Sequence, residues 1–144
     1  GIAKLDKGSE LWAQSYEALG TQLSRCIGQM QERHIATAVW AFAKASGRRL
    51  QHPELFQTVA EFLEERGDSL SSPQSVSNIA WGFARLGERR PRAFSGLARA
   101  ASRLMESFED QHVANTAWAY ARLGLAEEPL FCELMRRAGT TLYD

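Results

Sequence analysis

Three sets of polar side chains recur at one spacing, and their chemistry suits the recognition of a polynucleotide. Each set has a polar residue, a second one four positions later, and a cation seven positions after that. The sets are Arg33, Thr37 and Lys44; Gln74, Asn78 and Arg85; and Gln111, Asn115 and Arg122. Amide and hydroxyl groups can bond to base edges, and repeat proteins read single-stranded RNA in this way. The same residues also suit a solvated helix face or a ladder that braces neighbouring repeats, so both interpretations stay open.

A second candidate region is the arginine-rich segment from Arg85 to Arg103. It contains six arginines and a single acid, Glu88. Arginine forks phosphate oxygens better than lysine does, and phosphate contacts position a protein on nucleic acid. We therefore predict that Arg89, Arg90 and Arg92 contact RNA or a partner. The whole chain has 14 arginines and 3 lysines, which a GC-rich genome would also produce.

Catalytic and metal-binding patterns are missing from the sequence. It has no phosphate loop, dinucleotide motif or nucleophile with a partnered base, so we expect neither an enzyme nor a cofactor. His34 and His112 take equivalent places two repeats apart, too far from each other to share a metal ion. Cys26 and Cys132 lie in helical patterns and are expected to act as small apolar residues.

The overall composition is that of an ordinary folded domain. The chain has 144 residues, 44% of them hydrophobic, and a formal net charge of zero. This length can bury a core in a single domain. A net charge of zero provides no overall electrostatic attraction to nucleic acid. No apolar run approaches the roughly 20 residues of a membrane span, so we expect none.

The polar sets belong to a sequence motif that occurs three times. It is centred on Trp40, Trp81 and Trp118, and each tryptophan is followed by a small residue, an aromatic residue, alanine and a cation. Self-similarity with a period of roughly 20 to 50 residues is typical of a solenoid. The small residues beside each tryptophan predict that the indoles are buried between repeats, which we favour over base stacking.

Each repeat reads as a pair of helices. In the middle copy, helix A begins at Pro73, buries Val76 and Phe83 on one face and ends at Gly87. A second helix, helix B, follows helix A in each of the three copies, and one further helix B precedes the first copy. These four B helices span about 11–31, 53–66, 92–107 and 129–142. We predict a single all-α domain over residues 1–144, an α-solenoid. It comprises a partial repeat (1–31) and three stacked helix-pair repeats (32–71, 72–108 and 109–144).

The motif resembles a known family. The stretch Ala117-Trp118-Ala119-Tyr120-Ala121-Arg122-Leu123-Gly124 and its two copies are similar to the octotricopeptide repeat and to the helical repeats of RAP-domain and FAST-kinase-like organellar proteins. The resemblance covers residues 32–144. It implies an α-solenoid that binds RNA in mitochondria or chloroplasts and aids RNA stability, processing, translation or ribosome association.

Two functions follow as expectations. The first is binding of single-stranded or ribosomal RNA in organellar gene expression. The second is a protein-binding scaffold or accessory subunit of a large organellar complex, such as a ribosome or a photosynthetic or respiratory assembly. In both cases we expect an organellar protein, with its targeting peptide removed or outside this chain. Zero net charge favours the second function, whereas the resemblance and the arginine-rich segment favour the first.

Overall fold

A computed structural model describes residues 2–46, 52–125 and 128–143, and the two ends of the predicted domain, residues 1 and 144, lie outside these ranges. Over the described residues the fold is all-α, as predicted, without a β-strand. Its helices are α1 (Ile2–Cys26), α2 (Glu32–Ala45), α3 (Pro53–Arg66), α4 (Pro73–Arg85), α5 (Pro91–Leu104), α6 (Asp110–Arg122) and α7 (Glu128–Tyr143). None of these helices, as far as the chain is described, is long and apolar enough to cross a membrane.

The helices form two layers. α2, α4 and α6 lie side by side in one layer, which we call the A layer. α1, α3, α5 and α7 lie side by side in the other, the B layer. α1 to α6 therefore pack mainly on their counterparts in the neighbouring repeats, which is the arrangement of a stacked helical repeat.

Prolines and glycines set the helix ends. Pro53, Pro73 and Pro91 each occupy the first position of a helix, where the missing N–H costs nothing. Gly87 and Gly124 follow α4 and α6 with positive φ angles of 69° and 62°. Such a left-handed residue ends a helix at low cost only when it is glycine. The two A helices consequently end in the same turn.

A short 3₁₀ turn follows each of the first three B-layer helices. The turns span Ile27–Gln29, Gly67–Ser69 and Met105–Ser107. They explain why α5 ends at Leu104, where the sequence predicted a helix to Ser107. The tighter turn redirects the chain toward the next A helix, and helical sequence periodicity does not distinguish it from a last α-helical turn. α1 also begins at Ile2, well before the predicted start at Leu11.

Aromatic rings fill the space between the layers. Phe56 contacts Phe83 with ring centroids 5.1 Å apart, Phe83 contacts Phe94 at 6.0 Å, and Phe94 contacts Tyr120 at 5.0 Å. All four rings are fully buried. The Tyr120 hydroxyl donates to the Phe94 carbonyl at 2.6 Å. The aromatic residue of the repeated motif is thus the one that locks the A layer to the B layer.

The predicted burial of the tryptophans is wrong for two of the three. Trp40 is 38% exposed and Trp118 is 44% exposed, while Trp81 is half-buried. The reason is helical geometry, since two positions along a helix amount to a rotation of about 200°. The motif aromatic two residues after each tryptophan faces the core, so the indole faces away from it.

Candidate nucleic-acid interface

The A layer brings most of the predicted polar residues together in two grooves. The members of each polar pair are four residues apart, so they lie on one helix face. The first groove, between α2 and α4, has a volume of about 230 Å³, and the second, between α4 and α6, about 160 Å³. The first is lined by Arg33, Ala36, Thr37, Ser72, Gln74, Ser75 and Asn78. The second is lined by Gln74, Ser77, Asn78, Glu109, Gln111, His112 and Asn115.

The amide groups in these grooves are available to a ligand. Gln74 with Asn78, and Gln111 with Asn115, present the same pair on neighbouring helices. An amide carries both donors and an acceptor, so it can bond to a base edge in two places. Within the described part of the chain, these four side chains make no hydrogen bond to protein. They therefore do not brace neighbouring repeats in this structure.

Several groove residues were not among the predicted site residues. Serines 72, 75 and 77 line the grooves because they stand at the start of α4, where Ser72 is the N-cap and accepts from the Ser75 backbone N–H. His112 lines the second groove, and its Nδ1 accepts from the Glu109 backbone N–H at 3.1 Å as part of a helix cap. The sequence signal for this residue is that His112 and His34 occupy equivalent positions in two repeats, a pattern that was interpreted above only in terms of metal binding.

The three motif cations lie outside the grooves, further along the same helix face. Each stands over the tryptophan four residues before it. The distances to the ring centroids are 4.7 Å for Lys44, 5.5 Å for Arg85 and 5.7 Å for Arg122. This is the geometry of a cation–π contact.

Two of these cations also connect neighbouring helices. Arg85 Nε donates to the Ala43 carbonyl at 3.2 Å, and Arg122 Nε donates to the Ala84 carbonyl at 2.8 Å. Both acceptors belong to the last turn of the preceding A helix, where carbonyls lack helical partners. We call these two contacts the arginine clips. A guanidinium has five N–H donors, so a clip leaves other donors of the same side chain for a ligand.

Most of the arginine-rich segment joins one repeat to the next. Of the predicted Arg89, Arg90 and Arg92, only the exposed Arg92 makes no hydrogen bond or ion pair within the described residues. The segment's other contacts are Arg89 with the Leu123 carbonyl (3.1 Å), Arg90 with Gln57 and Glu88, Arg99 with Asp68 (3.9 Å), and Arg103 with the Asp68 and Leu70 carbonyls. None of Arg89, Arg90 and Arg92 lines either groove.

The zero net charge hides an uneven distribution of charge. The A helices carry four cations and two carboxylates, a net charge of +2, and both carboxylates, Glu32 and Asp110, stand at the first residue of a helix. In the B layer, α3 has four carboxylates and one arginine, a net −3, whereas α5 has three arginines and no carboxylate, a net +3. The outer face of the A layer therefore suits an anionic ligand better than the overall composition indicates.

A family model, that of the RNA-editing substrate-binding complex 6 protein, matches residues 14–144. No curated protein sequence and no solved structure matches the chain. The family takes its name from a complex that binds substrates of RNA editing, which confirms the RNA-related part of the sequence resemblance. The match does not confirm the resemblance to the octotricopeptide repeat in particular. Since the match spans all but the first 13 residues, the chain belongs to the RNA-editing substrate-binding complex 6 protein family.

Proposed function

We propose that the A layer binds single-stranded RNA as part of a complex that handles substrates of RNA editing. One observation carries the proposal: two adjacent grooves present the same glutamine–asparagine pair with unengaged amide groups. The positive A layer and the name of the family support it. In such a complex, other subunits can supply more of the RNA path.

In this proposal each groove holds one base. The amides of Gln74 and Asn78, or of Gln111 and Asn115, bond to the edge of the base, while Arg33, which lines the first groove, attracts a phosphate. We further propose an organellar location and a role in RNA stability, processing, translation or ribosome association. These finer statements rest on the sequence resemblance alone.

The test is a titration of labelled single-stranded RNA 12-mers by fluorescence anisotropy, at two salt concentrations. We expect a Kd tighter than about 10⁻⁴ M, the weak end of non-specific binding, and weaker binding at high salt because counterions are released when cations contact phosphates. Replacing Asn78 and Asn115 with alanine should change the order of preference among A-, U-, C- and G-rich oligomers, because amides contact base edges.

The matched control removes polar side chains from elsewhere on the surface. Gln14 and Gln22 are exposed on α1, outside the A layer. The double variant Gln14→Ala/Gln22→Ala should bind every oligomer as the wild type does. If the wild-type protein binds no oligomer at low salt, the proposal fails. If the asparagine variant keeps the wild-type preferences, the grooves do not read bases.

A protein-binding subunit is the second candidate function, and one observation favours it. Leu11, Trp12 and Leu19 are all more than half exposed on α1, and clustered exposed apolar side chains are typical of contact surfaces. Replacing Leu11 and Leu19 with serine should then abolish co-purification of a stoichiometric partner without weakening RNA binding. Co-purification unchanged by these substitutions would rule out α1 as the contact surface.

A further inference from the structure

We infer that Trp40, Trp81 and Trp118, the tryptophan row, form a stacking platform for the bases of single-stranded RNA, separate from the two grooves. The inference rests on the proposed function and extends it to a second, sequence-tolerant contact zone. The row places one indole on each A helix, exposed at Trp40 and Trp118 and half-buried at Trp81.

The first argument is exposure. Trp40 and Trp118 keep 38% and 44% of their surface open, although the buried aromatic residues two positions later show that the interlayer core can hold large rings. Two exposed indoles and a half-buried one at equivalent places on adjacent helices are unusual for a surface without a ligand, because large apolar side chains normally gain free energy by burial.

The second argument is orientation. Each indole lies beneath its own cation, and in α4 and α6 that cation is anchored by an arginine clip to the preceding helix. The clip restricts the movement of the guanidinium, and the cation–π contact restricts the ring in turn. Trp40 and Trp81 lie with ring centroids 6.4 Å apart and planes inclined at 34°. The row is therefore held in place before any ligand arrives, which lowers the entropic cost of binding.

The third argument is the match between the row and its ligand. A base has a planar π face and its nucleotide carries a phosphate, and the row offers an indole and a cation at every step. Base stacking on aromatic side chains tolerates any sequence because every base has such a face. No carboxylate follows the first residue of any A helix, so nothing acidic on these helices opposes a phosphate chain along the row.

The row also lies within reach of the grooves. Each tryptophan comes three residues after Thr37, Asn78 or Asn115, a rise of about 4.5 Å along its helix. A strand that crosses the A helices could thus stack one part of its bases on the row and present others to the amides. The tryptophan row would supply affinity for RNA of any sequence, and the grooves would supply the preference for particular bases.

The experiment compares exposed tryptophans on and off the row. Trp40→Leu and Trp118→Leu keep an apolar side chain but remove the π face. Each should weaken binding of every 12-mer by about 5- to 150-fold, from the usual contribution of one stacked base. The slope of affinity against salt should not change, since no phosphate contact is lost. Trp12→Leu is the control, because Trp12 is 57% exposed on α1 and should leave binding unchanged.

A spectroscopic readout tests stacking directly. The chain has four tryptophans, so Trp12→Phe leaves fluorescence from the row alone. Addition of unlabelled oligo(U) should quench this emission, and Trp40→Phe, which keeps a ring, should retain more affinity than Trp40→Leu. Circular dichroism melting curves confirm that each variant is folded.

The outcomes separate this inference from the proposed function. If the wild type binds RNA while both leucine variants bind equally well and no quenching occurs, the stacking platform is wrong and groove binding stands. If the leucine variants lose a co-purifying protein instead of RNA affinity, the row is a protein contact and the inference is likewise overturned. If the wild type binds no RNA, the proposed function itself fails.

Discussion

Gly96 lies where α5 passes closest to α3. A Cβ atom at this position would stand 2.5 Å from the Leu63 carbonyl oxygen and 3.4 Å from Gly67 Cα. Both neighbours are backbone atoms, so the collision cannot be relieved by a rotamer change. The close approach of two B-layer helices therefore depends on the absence of one methyl group.

We expect Gly96→Ala to lower the free energy of unfolding by about 1–3 kcal/mol, the usual cost of overpacking. Gly139→Ala is the matched control, since a Cβ on this α7 glycine meets no described atom within 4 Å. It should raise stability by about 0.5–1 kcal/mol, because alanine is the better helix former. Urea denaturation measures both, and equal effects of the two substitutions would refute the packing argument.

Single residues also mark the limit of what the sequence could predict. The motif tryptophans were expected to be buried because small residues surround them. That composition is equally compatible with close packing of the A helices, as Gly82 shows: a Cβ there would lie 2.6 Å from Val39 Cγ1. The small residues bring helices together, and the indoles stay outside. Buried and exposed tryptophans differ only in how each A helix is rotated about its own axis relative to the core.

At the scale of elements, the arginine clips hold the A layer together. Arg122, the last residue of α6, links that helix to the last turn of α4. Replacing it with glutamine should cost about 1 kcal/mol of unfolding free energy, the typical net value of one hydrogen bond. Arg92→Gln, at an exposed position without such a bond, should stay within about 0.5 kcal/mol of the wild type. Thermal melts of both variants decide the matter, and an Arg122 variant as stable as the Arg92 variant would show that the clip is dispensable.

The order and type of the helices were predictable, because proline and glycine punctuation coincides with a threefold repeat. Pro53 and Pro73 begin the helices that the sequence assigned to them. The role of the arginine-rich segment was not predictable. Arg89 and Arg103 bond to backbone carbonyls of other repeats, and sequence spacing carries no information on which carbonyls a folded stack leaves unpaired. Charge reversal there would therefore disturb folding as well as RNA binding, and Arg92→Glu alone is the cleaner probe.

For the whole molecule, stability should vary with position in the stack. α3, α4 and α5 each have a neighbouring helix of their own layer on both sides, whereas the helices at the two ends of each layer have one on a single side. In a repeat array, stability is roughly a sum of local terms and nearest-neighbour interfaces. Native-state hydrogen exchange should therefore be slowest in α3, α4 and α5 and fastest in the terminal helices α1 and α7. Equal protection in all helices would indicate a single cooperative unit instead.

The opposite charges of α3 and α5 bear on how the chain finds its fold. Repeats that share a motif can misalign, because each could stack on the wrong neighbour and still cover its apolar face. α3 carries a net −3 and α5 a net +3, so each attracts the other and repels a second copy of itself. A like-charge contact penalises the wrong partner, and such repulsion is one way in which proteins achieve specificity. The charge pattern thus favours the native packing of α3 beside α5 over a stack in which either helix lies beside a like-charged copy of itself.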